Sequence, residues 1–303
     1  MIDVCLLGTG GMMPLPKRYL TSCILRCEGK NILIDCGEGT QVSMRSKGWS
    51  FKAIDVVCIT HLHFDHIGGL PGIIFSMINS DREEPLTIIG PKGLSKFINL
   101  ATTVIPGITL KLNCIELEED EETFEFGPLS INAFKVKHRI TCYGYSVVLK
   151  RLPKFNLEKA KALNLPVQFW NKLQHGEEVE YEGKKYEPSD VMEGERRGLK
   201  VTYCTDTRPV PMIEKHVEGS DLYIGEGMYG DTEKQEDAKK KMHSMMQETA
   251  EIAAKANPKM LWFTHYSPSM VRPEEYLDEI KQIFENVKIP RESANITLRF
   301  DEE

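Results

Sequence analysis

The chain is 303 residues long, 41% hydrophobic and 27% charged, with a formal net charge of −7; that acidity argues against a uniformly basic nucleic-acid binder while leaving room for a local basic groove. No apolar run approaches the roughly 18 residues of a membrane span, and Met1-Ile2-Asp3-Val4-Cys5-Leu6-Leu7 lacks the basic start and apolar stretch of an export signal, so the expected compartment is the cytoplasm, with no membrane partner. The eight cysteines, several inside apolar runs and none in a C-x-x-C pair, read as reduced core residues and not as a disulfide framework.

In chain order, short apolar runs bounded by Gly, Asn and Asp predict buried strands at residues 4–7, 23–26, 32–34 and 56–59. Helical composition marks residues 38–45 and, after a cluster of histidines, 70–79. A strand at 86–89 and a helix at 93–104 follow, then strand-like pieces at 111–117, 123–126, 129–136 and 144–149. From 151 to 198 the texture becomes rich in Lys and Glu with few apolar residues, which reads as an inserted arm because core-building patterns resume on both sides. Within it, Glu182-Gly183-Lys184-Lys185 predicts a hairpin turn. Beyond the arm come strands at 199–204, 222–224 and 260–264, helices at 210–215, 243–256 and 273–284, and a closing strand near 295–300. The expected organisation is an α/β catalytic domain over 1–150 and 199–303, interrupted by an arm over 151–198.

The stretch Thr60-His61-Leu62-His63-Phe64-Asp65-His66-Ile67-Gly68-Gly69-Leu70-Pro71-Gly72 holds three of the eight histidines and an aspartate within six residues. A lone histidine is usually a satisfied structural residue. Here His61, His63 and Asp65 have spacing two, which aims them the same way on an extended chain, directly after a buried strand. Four potential ligands at a strand end suit a metal site far better than a core. A zinc ion takes about four ligands, and two ions sharing a carboxylate need more than this stretch holds. Three further strand candidates end in a suitable residue: His138, Asp206 and His265. A rigid sheet holds groups of this kind in its loop layer. His175, in the polar arm, and His216, after the helix at 210–215, read as solvated surface. His243 opens an amphipathic helix between the last two metal candidates.

H-x-H-x-D-H followed by distant His, Asp and His resembles the metallo-β-lactamase superfamily. More narrowly, the chain resembles the ribonuclease Z family of tRNA 3′-processing endonucleases. The match runs nearly the full length through Leu7-Gly8-Thr9-Gly10, Ile34-Asp35-Cys36-Gly37-Glu38-Gly39-Thr40-Gln41, Gly69-Leu70-Pro71-Gly72, His138-Arg139, Cys142-Tyr143-Gly144-Tyr145, Asp206-Thr207-Arg208-Pro209, His243-Ser244 and Thr264-His265-Tyr266-Ser267. The resemblance implies a four-layer αββα sandwich of metallo-β-lactamase type with an inserted flexible arm. It implies one metal on His61, His63 and His138, a second on Asp65, His66 and His265, and Asp206 as the bridge. Two Zn2+ per chain are the implied cofactors, although His and Asp ligands without cysteine also accept Mn2+ or Fe2+. Hydroxide held between the metals would attack the scissile phosphodiester, leaving a 3′-hydroxyl on the tRNA and a 5′-phosphate on the trailer. Asp65 would orient the nucleophile, and Glu226 with His243 would form the leaving-group dyad. The implied partners are pre-tRNA and a second copy of the chain in a homodimer. The arm would grip the tRNA elbow, with Lys154, Lys159 and Lys172 on phosphates and Phe169 and Trp170 packing or stacking. Lys17 and Arg18 match a basic pair near the acceptor end.

Three features depart from the family pattern. The family's arm has a Gly-Pro pair where this chain reads Pro166-Val167-Gln168-Phe169-Trp170. Tyr19 stands for the asparagine after the basic pair, and Phe64 and Gly68 exchange the family's common glycine and phenylalanine. On residues alone, two other readings stay open: a phosphodiesterase for small or cyclic phosphodiesters, and a non-catalytic RNA-binding scaffold. The full ligand set weighs against the scaffold.

Overall fold

The computed structural model describes residues 1–103, 108 and 110–301 of the chain. Two seven-stranded sheets form its centre. The first runs, edge to edge, Asn295–Leu298, Ile2–Gly8, Ser22–Cys27, Lys30–Ile34, Ile54–Cys58, Leu86–Pro91 and Leu112–Leu117; the second runs Val287–Lys288, Leu261–Thr264, Leu222–Glu226, Arg196–Cys204, Cys142–Arg151, Leu129–Val136 and Glu121–Phe126. Each sheet is antiparallel at one side and parallel at the other.

Strands buried on both faces need apolar residues in both phases of the pleat, which is why the sequence shows runs and not alternation. Along Ile2–Gly8 and Ile54–Cys58 one phase, Val4, Leu6, Val56 and Cys58, meets Ile131, Tyr145, Val201 and Ile224 of the second sheet. The other phase, Cys5, Leu7 and Val57, packs under Leu70, Ile73 and Ile74 of the helix Leu70–Ile78 and Leu94 and Ile98 of the helix Leu94–Thr102. On the far face of the second sheet, Phe134, Tyr223 and Phe263 meet Ile213 and Val217 of the helix Pro211–Val217 and Met246, Ala250 and Ala253 of the helix Met246–Ala256. Helix, sheet, sheet and helix thus form a four-layer α/β sandwich. Each fully buried Leu or Ile contributes about 1.5–3 kcal/mol.

Several elements differ in extent from their sequence signals. The helix expected over 93–104 runs Leu94–Thr102, and Val104 lies outside the described residues. His243 does not open its helix: that helix is Met246–Ala256, because the Ser244 N–H and the Ser244 hydroxyl are drawn instead to Glu226 and the Thr207 carbonyl. The segment expected as one helix over 273–284 divides into a 3-10 turn, Pro273–Tyr276, and the helix Leu277–Lys281. The helix Gln235–Lys241 has no sequence signal, since only Ala238 is buried along it. His216 is half-buried, its ring stacked on Phe134 at 4.1 Å between centroids and its Nε2 3.0 Å from Glu121; His175 is exposed.

Contacts divide the chain into two compact units, Met1–Leu149 with Leu199–Glu303, and Lys150–Gly198. The second has its own small core of Ala160, Leu165, Leu173, Val179, Tyr186, Val191 and Met192. Two helices, Leu157–Ala162 and Val167–Gln174, precede a hairpin of Val179–Tyr181 and Lys184–Tyr186. The hairpin turns on Glu182 and Gly183, both at positive φ (52° and 73°), as a two-residue loop that matches strand twist requires. Phe169 and Trp170 pack against this core, and the Trp170 indole donates to the Leu165 carbonyl at 2.9 Å. Among the described residues no helix is long and apolar enough to cross a membrane.

Candidate metal centre

Strands from both sheets end at the same place. Asp35 follows Lys30–Ile34, His61 follows Ile54–Cys58, His138 follows Leu129–Val136, Asp206 follows Arg196–Cys204, Glu226 closes Leu222–Glu226, and His265 follows Leu261–Thr264. Asp35, Asp206 and His265 take positive φ (57°, 53° and 60°), turning the chain sharply at each strand end. A non-glycine residue there costs on the order of 1–3 kcal/mol, which persists only where the surroundings enforce it; all three are buried. The short helix Phe64–Ile67 then carries Asp65 and His66 inward, with His63 at its N-cap.

The side chains fall into two groups. In the first, His61 Nε2 lies 2.9 Å from His63 Nδ1, which lies 3.3 Å from His138 Nε2. Asp206 Oδ2 is 3.7 Å from His61 Nε2 and 3.9 Å from His138 Nε2. In the second, His66 Nε2 and His265 Nε2 are 3.3 Å apart, and Asp65 Oδ2 sits 3.8 Å from the first and 3.4 Å from the second. Asp206 Oδ1 is 3.2 Å from both. Tetrahedral coordination with bonds of about 2.0–2.1 Å separates donor atoms by about 3.3 Å. Both groups have that spacing, and Asp206 faces each with a different oxygen. Its Oδ1 is buried without a hydrogen bond, a costly state for a carboxylate unless a cation completes it. The donor set therefore fits divalent metal ions.

A second layer aims these donors. His66 Nδ1 donates to Asp35 Oδ2 at 2.7 Å, while Asp35 Oδ1 accepts from the Thr60 N–H at 2.8 Å. His138 Nδ1 donates to the Met242 carbonyl at 3.0 Å. Each bond fixes the tautomer that turns Nε2 toward the cluster. The Met12 N–H donates to Asp65 Oδ2 at 2.6 Å. Gly11 beside it leaves room for the His265 ring, from which a Cβ there would lie only 2.7 Å, so any side chain at 11 must displace the ring or the loop. Sequence reasoning quoted Asp35 only as part of a motif and assigned it no role; its signal was an aspartate ending a buried strand, in the same place as Asp206.

Glu226 and His243 meet at 2.5 Å between Oε1 and Nδ1. Glu226 is buried, and its Oε2 accepts from the Ser244 and Thr207 N–H groups at 2.7 and 3.2 Å. Burial acts to raise the Glu226 carboxyl, but the His243 charge and hydrogen bond outweigh it and hold it low. Burial likewise acts to lower His243, and Glu226 outweighs it and raises the imidazole. Each partner thus favours the charged form of the other. Asp206 is held well below the usual range because the surrounding histidines, His265 foremost, overcome its burial.

A cavity of about 460 Å³ opens onto both groups and is lined by Met12, His63, Phe64, Asp65, His138, Asp206 and His243, with Arg139, Asp237, Lys240 and Lys241. Lys17 is exposed in a turn at positive φ. Arg18 is committed to backbone, donating to the Met270 and Val271 carbonyls at 2.8 and 3.0 Å. Lys154, Lys159 and Lys172 are exposed on the arm unit.

Over residues 2–157 the chain matches the family model described as anti-Pycsar protein Apyc1, and over residues 182–266 the model of a β-lactamase superfamily domain. Along its whole length it is 50% identical to a ribonuclease Z of Agathobacter rectalis, with 100% of both chains covered. Two solved structures share its fold. The metallo-β-lactamase fold protein YhfI of Bacillus subtilis has a TM-score of 0.71 at 18% identity, covering 97% of this chain and 98% of that one. Human tRNase Z, short form, has a TM-score of 0.71 at 24% identity, covering 98% and 100%. With the fold, the paired His/Asp groups and full-length identity all in agreement, the chain belongs to the ribonuclease Z family of metallo-β-lactamase-fold proteins.

Proposed function

We propose that the chain is a zinc-dependent endoribonuclease that removes 3′ trailers from pre-tRNA, leaving a tRNA 3′-hydroxyl and a trailer 5′-phosphate. The observation that carries this reading is the position of Asp206, one oxygen toward each of two donor groups, which suits hydrolysis of a phosphodiester across a pair of ions. The substrate comes from the relatives: full-length ones are named ribonuclease Z, and tRNase Z has the same fold. His61, His63 and His138 would hold one ion and Asp65, His66 and His265 the other, with Asp206 a ligand available to each. When bound, the ions supply Lewis acidity that makes a nucleophile from water near neutral pH and neutralises phosphoryl charge.

The chain's own groups do the rest. Asp65, held by the Met12 N–H, orients the attacking water and takes its proton. His243, charged on Glu226, gives a proton to the departing 3′-oxygen of the tRNA. Arg139, Lys240 and Lys241 draw the phosphate backbone into the cavity. Lys17 and the arm lysines Lys154, Lys159 and Lys172 extend that contact over the tRNA, with Arg18 bracing the loop beside Lys17. The enzyme works as a cytoplasmic homodimer; the eight free cysteines suit that reducing compartment. Residues 1–150 with 199–303 act as the catalytic domain and 151–198 as the tRNA-gripping arm.

The test is to incubate purified protein with a 3′-extended pre-tRNA and zinc or manganese and to map the cut. Cleavage at the discriminator base, abolished in His63→Ala and Asp206→Ala, is the expected result. Absence of cleavage by the wild type with either metal would overturn the reading.

A further inference from the structure

The cavity over the two donor groups has unlike linings. Arg139, Lys240 and Lys241 supply cations beside the carboxylate of Asp237, whereas Phe64 and Met12 supply apolar surface. Phe64 is 74% exposed and so forgoes most of the stabilisation that burying its ring would contribute. A scattered exposed apolar residue needs no explanation, but this one is held in place by its surroundings. It lies in the chain between His63 and Asp65, one from each donor group, so its backbone is tied to both. Its ring meets that of Phe97 edge-on, 6.4 Å between centroids with planes at 87°. One turn further on, a Cβ at Gly68 would lie 2.7 Å from the Phe64 carbonyl oxygen and 3.3 Å from its ring. Glycine at 68 therefore leaves the space that the ring's position requires.

We propose that Phe64 is a stacking platform for a base flanking the scissile phosphate, while the basic lining takes the phosphate itself. This rests on the pre-tRNA reading above. A nucleobase stacks favourably on an aromatic face whatever its identity, because every base has a π-face. Anchoring the base on one side and the phosphate on the other fixes the diester over the donor groups, where small misplacements are costly in rate. The same platform offers nothing to a phosphodiester that lacks a base.

Phe64→Ala, Phe64→Leu and Phe64→Trp, each checked for metal content, are compared with wild type. The substrates are a 3′-extended pre-tRNA and the same RNA with an abasic nucleotide either at the discriminator or at the first trailer position. Wild-type metal content is expected throughout, because the ring is exposed and donates to no ion. Phe64→Ala and Phe64→Leu should lose about ten-fold in kcat/KM, mainly through KM, and Phe64→Trp should stay within about two-fold of wild type. On one of the two abasic substrates wild type and Phe64→Ala should converge, which identifies the base concerned. A Leu variant equal to wild type, a deficit that persists on both abasic substrates, or loss of metal in the Ala and Trp variants would overturn the proposal. Wild type and Phe64→Ala cleaving pre-tRNA equally well would overturn this proposal alone; a wild type that leaves pre-tRNA intact would overturn the functional reading and this proposal with it.

Discussion

Asp35 shows how much of the site lies behind the donors that face it. Its carboxylate bridges His66 Nδ1 and the Thr60 N–H, so removing it frees the His66 ring to rotate and leaves a buried N–H unpaired. Asp35→Ala should weaken metal binding by about 10–100-fold, read by competition with a chromogenic chelator; an unchanged affinity would deny Asp35 that role. His243 stands differently, pairing with Glu226 and donating to no ion in the proposed ligand set. His243→Ala should slow pre-tRNA cleavage by about 10²–10⁴-fold with metal content intact, and loss of zinc in that variant would count against a leaving-group role. The two residues also mark the range of what the sequence discloses. Six of the seven proposed ligands, four histidines and two aspartates, stand where a strand end or spacing two makes them conspicuous, whereas Asp35 reads equally as a turn-forming aspartate until its partner, 31 positions away, is brought beside it.

Elements were legible in proportion to the apolar surface they bury. Strands such as Ile2–Gly8 and Ile54–Cys58 meet apolar neighbours on both faces and announce themselves as runs. The helix Gln235–Lys241, which buries only Ala238, and the arm helices Leu157–Ala162 and Val167–Gln174, which bury one residue each, have too narrow an apolar stripe to be read. The boundary at Met246 was missed because Glu226 captures Ser244, a tertiary contact invisible to local propensity. Loops are placed as tightly as strands where they pass the site. Gly11→Ala would drive a methyl group against the His265 ring, and because its neighbours Met12 and Met13 are exposed, the loop can move outward. We expect a stability loss of no more than about 1–3 kcal/mol by denaturant unfolding but a far larger fall in cleavage rate. A variant with wild-type turnover would show that His265 tolerates displacement.

At the level of the whole molecule, the unit Met1–Leu149 with Leu199–Glu303 and the unit Lys150–Gly198 each have a core of their own. Joining Leu149 to Leu199 by a short turn should therefore leave a folded unit that still hydrolyses a small chromogenic phosphodiester but has lost pre-tRNA cleavage; retained pre-tRNA cleavage would remove the arm from substrate recognition. The unit Lys150–Gly198 coincides with a change of texture in the sequence, whereas its internal fold leaves no local signal apart from the Glu182-Gly183 turn. The candidate metal centre lies where the two sheets meet, since His61 and His66 follow strands of the first and His138, Asp206 and His265 strands of the second. Ions bound there would act as cross-braces between sheets, so chelation should lower the melting temperature as well as abolish turnover. The most direct test of the account is a zinc titration of the chelated protein in which bound metal and pre-tRNA cleavage are followed together. Cleavage should appear only as the second equivalent binds and should saturate at about two ions per chain, as a bridged pair demands; full activity at one equivalent, or cleavage that survives complete metal removal, would contradict it.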